Sequence, residues 1–146
     1  MTQRDRRPER TQIYSFLVLG GILVAAAFAS AAYFGPTTRE AWAAANILHV
    51  LGGAYAFFFS RELFRMLYPE YQTALPKSLG AIFFICGALA WGVFWEWFEL
   101  ALDRYEVWVL GRASIMTYTD NMGDLLFDAL GAGIAAIIFL RREKQP

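Results

Sequence analysis

The chain has 146 residues, room for one domain, and is 58% hydrophobic and 17% aromatic, with five Trp and 13 Phe. Its formal net charge is zero, so no overall field favours nucleic acid, and its single cysteine, Cys86, excludes both an intrachain disulfide framework and a CxxC metal motif. Cys86 lies in an apolar run and is expected to be a small buried residue.

Four apolar segments follow in order. The first, about 13–34, is as long as a bilayer core requires and too long for a signal h-region, so it is expected to be a retained helix. Gly35-Pro36 ends it, and Ala25, Ala29 and Ala32 form a small-residue face suited to close helix packing. The second, about 40–60, has Thr37 or Thr38 to cap it and carries Asn46 and His49. Residues from Arg61 to Tyr68 read as an amphipathic continuation stopped by Pro69.

The third segment, about 78–102, ends in Trp91, Phe94, Trp95, Trp97 and Phe98, an aromatic cluster suited to a membrane–water interface. Asp103 to Thr119 reads as a loop lying in the interface or folded over the bundle. The fourth, about 120–140, opens at Asp120, expected as an N-cap, and ends in Arg141 and Arg142. The fold expected is therefore all-α: an integral membrane four-helix bundle forming a single transmembrane domain over 1–146.

Basic residues orient it. Arg4, Arg6, Arg7 and Arg10, then Arg61, Arg65 and Lys77, then Arg141, Arg142 and Lys144 fall on one side; Arg39, Arg104 and Arg112 fall on the other. That bias, ten against three, is expected to put both termini in the cytoplasm, with the chain crossing the membrane several times.

The acidic residues are distributed differently. Seven of 13 lie between Trp91 and Asp128, on the side expected to face outward. Glu96, Glu99 and Asp103 share one helical stripe; Asp120, Asp124 and Asp128 share another. By helical rise, Asp128 lies about 12 Å into its segment and His49 about 13 Å into its own, at one level. Ionisable residues at such depth point to function. Glu96, Glu99, Asp124, Asp128 and His49 are the candidate metal ligands, with His49 also a candidate general base. Oxygen ligands suit Mg²⁺, Ca²⁺ or Mn²⁺, and one imidazole brings in Zn²⁺. Asp103 and Glu106 read as loop charges.

The run Trp95-Glu96-Trp97-Phe98-Glu99, with Tyr118 to Asp124 and Asp128-Ala129-Leu130-Gly131, resembles the YjdF-type family of uncharacterised bacterial inner-membrane proteins. Asp124, Asp128 and Gly131 are also similar to the VanZ-like pattern of an Asp, an Asn or Asp four residues later and a Gly three after that. The first resemblance implies membrane location; the second implies a link to envelope glycopeptide resistance. The functions expected are thus a metal-assisted role on a membrane lipid or a lipid-linked envelope precursor, a proton- or cation-coupled carrier, or a structural or sensor subunit, with a homo-oligomer as one assembly. No nucleic-acid partner is expected.

Overall fold

The computed structural model describes residues 10–35, 37–71 and 75–142. Its helices are α1 (Arg10–Phe34), α2 (Arg39–Leu67), α3 (Lys77–Leu110) and α4 (Tyr118–Arg142), with a short 3₁₀ turn at Pro69–Tyr71. Among the described residues there is no strand, and all four helices are long and apolar enough to cross a membrane. The Lys and Arg residues nearest the termini, Arg4 to Arg7 and Lys144, lie outside the described residues, as does Pro36.

The caps follow local chemistry. Gly35, at φ 82°, takes the left-handed conformation and closes α1 with a 3.1 Å bond from its N–H to the Ala31 carbonyl. The Thr38 hydroxyl accepts from the Ala41 N–H at 3.1 Å and caps α2. Helix α2 then runs through Arg61 to Leu67 without a break, because nothing forbids the helix before Pro69.

Helix α3 departs most from the sequence reading. Asp103 to Leu110 is helix, not loop. Its charged residues imitate a loop, but the first true breaker is Gly111, at φ 66°, where the Arg112 N–H reaches back to the Glu106 carbonyl at 3.1 Å. At 34 residues α3 is about 51 Å long, well beyond a hydrocarbon core of about 30 Å. The start of α4 also shifts. Thr117 is its cap, its hydroxyl accepting from the Asp120 N–H at 3.2 Å, so Asp120 sits inside the first turn.

The bundle has two unlike halves. Near the 68–76 connection, Phe57, Phe84, Ala81, Ala88, Ala132, Ala135 and Ala136 make an apolar core in which Phe57 is fully buried. Phe57 meets Phe84 edge-on with ring centroids 5.7 Å apart, and Phe139 tilts against Phe57 and meets Phe84 edge-on. Nearer the 111–117 connection most buried positions are polar instead: Asn46, His49, Glu96, Asp103, Asp124 and Asp128.

Helix α1 leans on α2 through Phe16, whose carbonyl accepts from the Tyr55 hydroxyl at 3.0 Å. The alanine stripe of α1 is not its packing face: Ala25, Ala29 and Ala32 are exposed. Cys86 is likewise exposed rather than buried. In a bundle of spanning helices apolar residues serve the lipid face as readily as the core, so apolarity alone does not say which way a residue points.

Candidate metal centre

Three helices supply the polar half, and glycine lets them come close. A Cβ on Gly53 of α2 would fall onto the backbone carbonyl of Asp128, and one on Gly131 of α4 onto the carbonyl of Val50. Backbones this near bring the α2 and α4 side chains of the polar half into one layer. Helix α3 adds Gly92, where a Cβ would collide with Asp128 Oδ2.

Into that layer α2 sends His49, α3 sends Glu96 and Glu99, and α4 sends Asp124 and Asp128. His49 bridges two carboxylates: Nε2 lies 3.5 Å from Asp124 Oδ1 and Nδ1 lies 3.3 Å from Asp128 Oδ1. One donor atom from each of His49, Glu96, Glu99 and Asp124 lies within 4.8 Å of the others. His49, Glu96 and Asp124 are buried and Glu99 is half-buried.

Glu96 is the least satisfied member. It is 5% exposed, and neither Oε1 nor Oε2 has a hydrogen-bond partner among the described residues. A buried carboxylate left so incurs a penalty of several kcal/mol. Two ionised carboxylates 4.8 Å apart repel by about 3–4 kcal/mol at an effective dielectric near 20. Three such pairs approach the whole stability of a small domain, about 5–15 kcal/mol. Nearby arginines are engaged elsewhere: Arg104 with Asp103 at 2.7 Å and Arg112 with Glu106 at 3.3 Å. The cluster therefore calls for a cation, protons, or both, and its donor set of one imidazole and three carboxylates is one that divalent ions accept.

Four of the five residues singled out from sequence bring donor atoms together, and the fifth, Asp128, lies against His49. Asp128 sits on the Nδ1 edge of His49, away from the edge that meets Asp124. Asp103 takes no part in the cluster, yet it is buried and tied to the connection between α3 and α4. It accepts from the Ser114 hydroxyl at 2.8 Å and the Ile115 N–H at 3.1 Å, and pairs with Arg104. Nothing in the spacing of Asp103 distinguished this anchoring role from that of a solvated charge. Glycine positions 53, 92 and 131 carried the missed signal, since each lies within one helical turn of a residue of the cluster or its partner Asp128.

Four spanning helices with a buried acidic and histidine cluster in one half define a multipass membrane protein. Residues 3–145 match the family described as "Predicted membrane protein (DUF2238)", and the chain belongs to that family. Comparison with curated proteins and with solved structures finds no match.

Proposed function

We propose that the cluster is a divalent-metal site, held in the outward-facing half of a bacterial inner-membrane protein whose termini are cytoplasmic. The observation that carries this reading is Glu96: a buried carboxylate with two unpartnered oxygens, set among three other candidate ligands within 4.8 Å. A metal ion would satisfy those oxygens and remove the mutual repulsion at once. His49, Glu96, Glu99 and Asp124 are the ligands of this proposal; the imidazole favours Mn²⁺ or Zn²⁺ over Mg²⁺ or Ca²⁺.

At that depth the chemistry within reach is that of lipids and lipid-linked envelope precursors. A bound ion there positions a phosphate group or lowers the pKa of a water for attack. The similarity of Asp124, Asp128 and Gly131 to the VanZ-like pattern supports the same envelope setting. A carrier draws less support, because Phe57, Phe84 and six alanines close the other half of the bundle.

The test is metal content. Purified protein equilibrated with Mn²⁺ or Zn²⁺ and then desalted retains about one ion per chain, and the Glu96→Gln, Asp124→Asn double variant retains none. Failure of the native protein to retain any divalent ion refutes the site.

A further inference from the structure

The two edges of the His49 ring have different surroundings. Nε2 faces Asp124, one of the four residues whose donor atoms converge. Nδ1 faces Asp128, a residue 5% exposed and one helical turn further along α4. Asp128 is seated by glycine from two other helices. Gly53 admits its backbone, Gly92 admits Oδ2, and a Cβ on Gly52 would stand 3.9 Å from Oδ1. Any larger residue at 92 would push the carboxylate off its position. Oδ2 has no hydrogen-bond partner among the described residues, and the carboxylate meets His49 through Oδ1 at 3.3 Å.

We propose that Asp128 is the positioning residue of the site: it accepts the Nδ1–H of His49, leaving the Nε2 lone pair for the ion, and Gly92 is the position on α3 that lets it do so. This rests on the divalent-metal reading above. The physical basis is general. A neutral imidazole has one protonated nitrogen, and the hydrogen bond made by one edge decides which nitrogen is free to ligate. A carboxylate on the far edge also fixes the ring plane and raises ligand basicity, and its loss lowers metal affinity by about 10–100-fold.

His49 is the only histidine, so ¹⁵N-imidazole labelling reports on it alone. In protein loaded with ¹¹³Cd²⁺, the expected one-bond coupling is to Nε2, with the proton on Nδ1. Coupling to Nδ1 overturns the proposal without any variant being made. In Asp128→Asn, Zn²⁺ affinity is expected to fall by about 10–100-fold with stoichiometry kept, while the Nδ1 proton leaves its low-field position. Gly92→Ala should move both in the same direction. Unchanged affinity in Asp128→Asn, or complete loss of uptake as for removal of a ligand, overturns it. Should the native protein take up no ion, the metal reading fails separately, and the metal-free spectra decide the rest: an Nδ1 signal identical in native and Asp128→Asn protein shows that Asp128 does not hold the ring.

Discussion

His49 Nδ1 and Asp128 Oδ1 lie 3.3 Å apart across 79 residues of sequence, and that contact ties α2 to α4 at the boundary between the apolar and polar halves. Both residues are buried, and a glycine from α3 completes their surroundings. The arrangement sets the His49 ring between Asp124 on one edge and Asp128 on the other.

The glycines at close approaches should not tolerate a methyl group. Gly53→Ala and Gly131→Ala each place a Cβ on the backbone of the facing helix, and are expected to lower stability by about 1–3 kcal/mol or more. Gly21→Ala and Gly133→Ala meet nothing within 4 Å and are expected to be neutral or slightly stabilising. Unfolding in mixed detergent micelles compares the four.

Glu96→Gln should have opposite effects with and without metal. Removing one negative charge relieves repulsion in the metal-free protein, so its unfolding midpoint is expected to rise. The stabilisation gained on adding Mn²⁺, about 2.7 kcal/mol at a hundredfold excess over Kd for the native protein, is expected to vanish. Thermal melts with and without Mn²⁺ read both signs.

Asp103 ties down the connection between α3 and α4. In Asp103→Asn, the bonds to Ser114, Ile115 and Arg104 weaken, and cleavage by added protease between Gly111 and Thr117 is expected to quicken several-fold. Cation binding should change little, because Asp103 lies outside the cluster. Limited proteolysis and a cation titration on the same sample separate the two.

Orientation can be read with single cysteines in a Cys86→Ser background. Ser114→Cys is expected to react with a membrane-impermeant maleimide in spheroplasts, and Glu70→Cys only after lysis. The reverse pattern would place the acidic cluster on the cytoplasmic side and contradict the distribution of Lys and Arg.

Much of this was legible in the sequence, for physical reasons that can be named. Four long apolar runs leave helices as the only way to satisfy the backbone in lipid, and Gly35, Thr38 and Pro69 marked real ends. The level shared by His49 and Asp128 was legible because helical rise is constant. Other features depend on tertiary contacts that periodicity does not encode. Asp103, Arg104 and Glu106 looked like a loop because their partners lie across α3's end, in Ser114, Ile115 and Arg112. Cys86 and the alanines of α1 looked like core residues because a membrane span is apolar on its outside as well. Which edge of His49 meets which aspartate depends on how α2 and α4 pack, and no spacing rule gives it.

His49 and three carboxylates are proposed to hold one divalent ion. Pulsed electron paramagnetic resonance of Mn²⁺ bound to the purified protein tests it most directly. The prediction is one tightly bound Mn²⁺ per chain, with ¹⁴N modulation from a single imidazole that disappears in His49→Ala. Mn²⁺ that binds no better than to empty detergent micelles, or binds with a spectrum indifferent to His49→Ala and Glu96→Gln, would contradict it.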